Sequence, residues 1–312
     1  MDYIVFDLEW NQPEGVSEEQ KKILPFEIIE IGAVKLNSER NLVSKYNRLI
    51  KPQFYDRINR RIVKMLALKP GELDRGMNFE DAAGDFLRWC GKDVRFCTWG
   101  NQDLMELQRN MAYYGMEALS DRPLKYIDVQ KQYSRLRSKG GQISLENAVT
   151  AENIIRDVPF HRAYSDAYYT SKILKIIPED ILESVYSYDL YHLPEEARGL
   201  KLDDKAGNIW YSPAYETKED ILNTPGIMTI RCPLCTKALK RRIGWFGNPG
   251  KVMHAAAVCP EHGHVGVGLK IKNGEQGGVY AEIHSSVITK EEFASLKEKH
   301  RKSTAAAGRS ES

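Results

Sequence analysis

Asp7 and Glu9 stand two apart in the run Tyr3-Ile4-Val5-Phe6-Asp7-Leu8-Glu9. That run is short, β-branched and aromatic, and reads as a strand. Alternation along a strand puts both acids on one face and Leu8 on the other. Two like charges held this close repel unless a cation lies between them. The pair also suits two solvated acids at a strand edge. Asp103 follows the turn Gly100-Asn101-Gln102 in the first turn of a helix, where the helix dipole alone would favour an acid. His161 and Asp166 form the third element. Five residues of helix turn through about 500°, so the two share no face in mid-helix. They converge if His161 lies in the preceding loop and Asp166 in the helix, and Pro159 marks a helix start about there. Alone, His161 also reads as a surface or capping histidine.

A second constellation lies late in the chain. Cys232-Pro233-Leu234-Cys235 and Cys259-Pro260-Glu261-His262 are separated by 23 residues. Two knuckles of sulfur and nitrogen ligands suit tetrahedral Zn²⁺, although the gap slightly exceeds the usual ribbon spacing. His264 is a rival fourth ligand and His254 a weaker one. A redox CxxC would need a thioredoxin-like βαβ pattern, which is missing here. Four protein ligands leave no open position, so the zinc would be structural. Lys237, Lys240, Arg241, Arg242, Trp245 and Phe246 lie between the knuckles. They read either as a nucleic-acid surface or as the module's own core with solubilising charges. Cys90 and Cys97 read as ordinary buried cysteines.

The elements that must position these residues are legible in outline. Strands are expected over 3–9, 27–36 and 42–50 as a meander, then over 94–99 and 125–128. Helical spacing marks 58–68, 78–90, 102–114, 129–137, 144–152 and 161–177. A polar loop is expected between the first two strands. Strands first, then strands alternating with helices, argue an α/β sheet with helices packed on it. The expected organisation is an α/β domain carrying the acids over 1–178, a helical connector over 179–225, a β-rich zinc-ribbon-like module over 226–295 and a basic, polar flexible tail over 296–312.

Taken in order, Asp-x-Glu on the first strand, an Asp after a later strand and His-x4-Asp opening a final helix resemble the DEDDh (DnaQ-like) 3′-5′ exonuclease family, over about residues 1–178. The resemblance extends to Phe26-Glu27-Ile28-Ile29-Glu30-Ile31-Gly32-Ala33-Val34, to Thr98-Trp99-Gly100-Asn101-Gln102-Asp103 and to Ser144-Leu145-Glu146-Asn147-Ala148. The Glu27–Val34 run is most similar to the subgroup that trims RNA 3′ ends and its bacterial sporulation-inhibitor-like relatives. The resemblance implies a ribonuclease-H-like mixed sheet flanked by helices. It implies that Asp7, Glu9, Asp103 and Asp166 hold two Mg²⁺ or Mn²⁺ ions, hard cations that prefer oxygen, and that His161 is the general base. It implies single-stranded RNA or DNA 3′ ends as substrate, RNA favoured, and nucleoside 5′-monophosphates as products. Leu8, Trp10 and Trp99 are the implied substrate contacts, with Trp10 stacking on the last base or packing under its loop. Many relatives carry a Leu-Thr-Gly-Ile-Thr-like segment where Met65-Leu66-Ala67-Leu68-Lys69-Pro70 stands here, which leaves sugar and base preference unassigned.

Composition bounds these readings. With 312 residues, 42% of them hydrophobic, the chain is long enough for about two domains and too apolar for a disordered one. No apolar run reaches the ~20 residues of a membrane span, and the N-terminus does not read as a signal peptide. The expected compartment is the cytosol, where close-spaced cysteines point to metal before disulfide. The net charge of +2 hides a split. Residues 1–222 carry 31 Lys and Arg against 36 Asp and Glu, and residues 223–312 carry 14 against 7. A basic C-terminal quarter fits a polyanion partner, or a protein or ribonucleoprotein docked on the zinc module. The competing functional reading is an inactive nuclease fold serving as an adaptor through that module; the intact acid and histidine set argues against it.

Overall fold

The computed structural model describes residues 1–137, 142–184, 186–195, 200–204, 207–248 and 250–307. The chain forms two units, Met1–Asp189 and Leu190–Ser312.

The first unit is a six-stranded mixed sheet. Its strands are β1 (Asp2–Asn11), β2 (Glu27–Leu36), β3 (Leu42–Leu49), β4 (Val94–Thr98), β5 (Leu124–Asp128) and β6 (Ser187–Asp189), in the order β3-β2-β1-β4-β5-β6. β1, β2 and β3 are antiparallel, β4 and β5 run parallel to β1, and β6 closes the edge antiparallel to β5. The helices are α1 (Glu18–Ile23), α2 (Arg60–Met65), α3 (Phe79–Cys90), α4 (Asp103–Tyr113), α5 (Val129–Arg137), α6 (Leu145–Ala151), α7 (Ala163–Ile176) and α8 (Glu179–Ser184). Alternation along β1 divides the core. Tyr3 and Val5 pack with Tyr133 of α5, Ala148 of α6 and Ala167 of α7. Ile4, Phe6 and Leu8 pack with Phe86 of α3 and Leu107 of α4. A strand covered on both faces loses the polar alternation of a half-exposed one, and β2 is accordingly buried at nearly every position.

The second unit is an antiparallel six-stranded sheet of order β7-β8-β12-β11-β10-β9. Its strands are β7 (Leu200–Asp204), β8 (Gly207–Tyr211), β9 (Arg241–Gly247), β10 (Met253–Cys259), β11 (Gly263–Asn273) and β12 (Val279–Val287). One face carries Val265 and Val267 against Ile230, and Leu269 and Ile271 under two short helices, α9 (Lys218–Asn223) and α10 (Pro225–Met228). The other face is partly covered by α11 (Lys290–Ala307), whose Phe293 and His300 rings lie on His264 and Phe246.

Three expectations are corrected. The polar stretch before residue 25 holds α1, which buries no side chain and so has no apolar stripe; its signal is the capping box of Ser17 and Gln20. Residues 179–225 are not a helical connector. β6 completes the first sheet, and β7 and β8 build into the second, so the unit that carries the Cys/His cluster is larger than 226–295. The tail expected to be flexible from 296 is helical to Ala307, because Phe293, Leu296 and His300 recur at helical spacing and dock on the sheet. Residues 185, 196–199 and 205–206 of the expected connector and 308–312 of the expected tail lie outside the described residues.

Candidate active site and metal centre

Asp7 and Glu9 continue the Tyr3–Val5 row of β1 toward α7. A register shift between Glu9 and Trp10 breaks the pairing with β2 just beyond them, the kind of bulge that re-aims side chains next to active sites. Asp7 pairs with Gly32 of β2. A Cβ at Gly32 would fall 1.9 Å from the Tyr164 backbone nitrogen and 2.1 Å from the Ala163 carbonyl carbon. The first turn of α7 therefore rests directly on the β2 backbone, and this close approach brings Asp166 over β1. The carboxylates of Asp7, Glu9 and Asp166 offer ligand oxygens within 4.8 Å of one another.

Asp103 stands at the start of α4, where its Oδ1 accepts the Leu8 backbone N–H at 3.1 Å. It lies close enough to raise the Asp7 carboxyl by charge repulsion, yet it falls outside the tight group of three. His161 takes a left-handed backbone conformation (φ 64°), unusual for a residue with a side chain. Its half-exposed imidazole points Nε2 at Glu146 Oε1, 3.4 Å away. The loop-then-helix arrangement that convergence requires is present: His161 precedes α7 and Asp166 lies in its first turn.

The electrostatics of this group are unfavourable without a cation. Burial comes first and neighbouring acids add to it, so Asp7 is pushed well above the ordinary carboxylate range. The same causes raise Glu9 to about 8. Burial raises Asp103 to about 7 against the pull of the Leu8 N–H, and raises Asp166 to about 6 against His161. Asp166 Oδ1 is buried with no hydrogen-bond partner, a costly condition that a ligand would relieve. An all-oxygen donor set with an orphaned buried oxygen fits a hard divalent cation such as Mg²⁺ or Mn²⁺.

Sequence reasoning missed the neighbours that hold the group. Glu30 pairs across the strands with Glu9 and is fully buried. Arg162 grips it with two bonds, Nε to Oε2 at 2.8 Å and Nη2 to Oε1 at 3.1 Å. Arg162 also lies 3.6 Å from Glu72 and lowers the Glu9 carboxyl. The signal was a carboxylate inside the apolar run Ile28-Ile29-Glu30-Ile31, since a buried charge needs a partner. Glu146 lies in the Ser144-Leu145-Glu146-Asn147-Ala148 segment of the family resemblance, which assigned it no role.

The implied substrate contacts fare differently. The Leu8 side chain lies in the core, on the strand face away from the acids, so only its backbone is near the site. Trp10 is half-buried with its ring 5.6 Å from that of Phe26. Trp99 packs on Tyr133 and keeps a buried indole N–H without a partner.

In the second unit, Cys232, Cys235, Cys259 and His262 bring ligand atoms within 4.8 Å of one another. Cys235 Sγ lies 3.7 Å from Cys259 Sγ, and His262 Nδ1 lies 3.5 Å from both Cys232 Sγ and Cys259 Sγ. Bond lengths of about 2.3 Å to sulfur and 2.0–2.1 Å to nitrogen give tetrahedral edges of about 3.8 and 3.6 Å, so the ligand set fits zinc. The CxxH pair spans the hairpin turn between β10 and β11, where Cys259 pairs with Gly263. His264 lies beyond that turn under Phe293, outside the group, and His254 is likewise outside it. Trp245 packs inside this unit, its indole N–H donated to the Met228 carbonyl at 3.1 Å. Phe246 lies between His254 and His300. Lys237 pairs with Glu261, whereas Arg241 and Arg242 are exposed. Cys90 and Cys97 are buried, as expected.

Residues 4–174 match the family model RNase_T, described as Exonuclease. The chain is similar to the probable 3′-5′ exonuclease KapD of Bacillus subtilis (strain 168), with 24% identity over 182 residues that cover 57% of this chain and 84% of the relative. Among solved structures it resembles the nuclease domain of 3′hExo, a DEDDh family member, bound to rAMP. That match has a TM-score of 0.51 and 17% identity, and covers 60% of this chain and 96% of that one. Among the described residues, no helix is long and apolar enough to cross a membrane.

Proposed function

Because the chain belongs to this exonuclease family and is a 3′-5′ exonuclease of the DEDDh type acting on nucleic acid, we propose that it shortens single-stranded RNA, in preference to DNA, from the 3′ end to nucleoside 5′-monophosphates. Asp7, Glu9, Asp103 and Asp166 are its Mg²⁺ or Mn²⁺ ligands, and His161 is its general base. The observation that carries this reading is the convergence of the Asp7, Glu9 and Asp166 carboxylates around a buried, unpartnered oxygen. The preference for RNA rests on the likeness of the Glu27–Val34 run to the RNA-trimming subgroup.

When bound, the pair of ions supplies the charge stabilisation that phosphodiester hydrolysis requires. The chain's own residues do the rest. Asp7, Glu9 and Asp166, whose carboxylate oxygens lie within 4.8 Å of one another, would hold the ions together with Asp103. His161, half-exposed, takes a proton from the attacking water. Glu146 stands beside Nε2 to stabilise the imidazolium that forms. The bond from phosphorus to the 3′-oxygen breaks, the 3′-oxygen takes a proton from solvent, and a nucleoside 5′-monophosphate departs. Gly32 and the Arg162–Glu30 pair hold α7 against the sheet so that Asp166 meets Asp7. The four-ligand zinc site has a structural role in the second unit.

The test is a 5′-labelled single strand, as RNA and as DNA of one sequence, with Mg²⁺ or Mn²⁺. Wild type should produce a ladder shortening from the 3′ end, faster on RNA, and Asp166→Ala should leave the strand intact. Degradation by Asp166→Ala at the wild-type rate would remove this site, and equal rates on RNA and DNA would remove the preference.

A further inference from the structure

The second unit holds a cleft of about 790 Å³ between the sheet face carrying Val267 and Ile283 and the segment 224–233. That volume lies within the usual range for ligand sites, about 300–1,000 Å³. Three aromatic side chains reach it from separate parts of the fold: Trp210 from β8, Tyr215 from the loop beyond it and Trp245 from β9. Two of them are fixed by backbone or indole bonds. The Trp245 N–H is committed to the Met228 carbonyl, which leaves the ring as a wall. Tyr215 is pinned by reciprocal backbone bonds with Val279, each 2.8 Å. Asn208 and Ser285 also line it, with the Asn208 side-chain N–H donated to the Pro233 carbonyl and the Ser285 hydroxyl to the Asn208 carbonyl.

The rim is basic. Exposed Arg231 lines the cleft. Thr229 and Ile230 form a wall shared with a second hollow, which Lys240 and Arg241 border on its far side. The backbone bridge between Arg231 and Ala238 puts Arg231 beside the segment that continues into Lys240 and Arg241. Aromatic faces beside a row of cations accept single strands with little regard to sequence, because every base has a π-face and every linkage a phosphate.

We infer that this cleft is a second binding site for single-stranded nucleic acid, taking one unstacked base among Trp210, Tyr215 and Trp245 and the adjoining phosphates on Arg231, Lys240 and Arg241. The inference draws on the proposed function for its class of ligand alone; the cleft itself is independent of the carboxylate group.

The experiment uses full-length Asp166→Ala protein and a fluorescein-labelled 20-nucleotide oligo(U). Binding should quench tryptophan fluorescence, and Trp210→Leu should remove much of the quench while weakening binding about tenfold. Arg231→Gln and Arg241→Gln, at exposed positions where folding is not at stake, should each weaken binding and lower the slope of log K against log salt by about 0.7. Binding and salt slope unchanged in both arginine variants would overturn the inference, as would an oligonucleotide that fails to bind. Turnover of a p-nitrophenyl ester of a nucleoside 5′-monophosphate by wild type reports separately on the nuclease reading. Loss of that turnover with cleft-dependent binding intact would sink the nuclease site and leave the cleft standing.

Discussion

The two ligand groups of this chain solve opposite problems. In the first unit, Asp7, Glu9 and Asp166 present hard oxygens, a buried atom without a partner and carboxyls pushed up by burial and mutual repulsion. In the second, three thiols and one imidazole offer ligand atoms within 4.8 Å of one another, three of their separations being 3.5–3.7 Å. A group held under electrostatic strain gains from a cation, which suits chemistry. A closed soft-ligand group gains stability and admits nothing else. The scaffolds differ in the same way. The carboxylates come from β1 and α7, far apart in sequence, whereas the thiols and the imidazole sit on two local turns.

The largest way to break the contrast is to take one ligand from the Cys/His cluster. Cys259→Ser should cut the metal content from one zinc per chain to none and abolish cooperative folding of the second unit. A structural zinc contributes on the order of 10 kcal/mol. Metal analysis and circular dichroism check this, and a Cys259→Ser protein that keeps its zinc and its melting transition would contradict it. Next in size, Asp7→Asn should lower exonuclease turnover by about 10³-fold or more, a loss on the order of 4 kcal/mol. The same change should hold or raise the melting temperature of the metal-free protein, because it removes a buried like charge. A fall in melting temperature would mean that Asp7 is structural.

Arg162→Gln sharpens the account of what holds the carboxylates. It strands Glu30 in the core and should cost about 3–5 kcal/mol of stability. The double change with Glu30→Gln should recover part of that loss in a denaturant titration, and a fully additive double variant would deny the coupling. The smallest effect is the pH dependence. The raised carboxyls mean that the metal-free fold binds more protons than the unfolded chain between about pH 4 and about pH 8. Stability of the metal-free first unit should therefore fall as pH rises through that window, and excess Mn²⁺ should reverse the fall, most strongly near the top of it. Melting curves that rise with pH in the absence of metal would refute the strained group.

Much of the first unit was legible because its signals are local. The alternation of Phe6, Asp7, Leu8 and Glu9 declares a strand with two acids on one face, and β1 has that arrangement. Asp103 after a turn and His161 before a helix were readable from flanking residues, and both stand where they were expected. The second sheet was harder. β7 and β8 join residues that a local reading assigned to a connector, and the pairing of β8 with β12 spans about 70 residues of sequence. α11 was hidden for the same reason, since its contacts with His264 and Phe246 exist only once the sheet has formed.

What the sequence alone determined is therefore the chemistry on offer: two acids one strand-period apart, a histidine and an acid straddling a helix start, and paired CxxC and CxxH turns. Tertiary structure decided which of these meet and on what terms. The bare backbone at Gly32 lets α7 touch β2, and Arg162 neutralises the glutamate that its own turn buries. The hairpin turn delivers His262 to the thiols, while α11 claims His264. Local patterns follow from the covalent period of the chain. Convergence depends on close approaches between distant segments, and only the packed molecule specifies those.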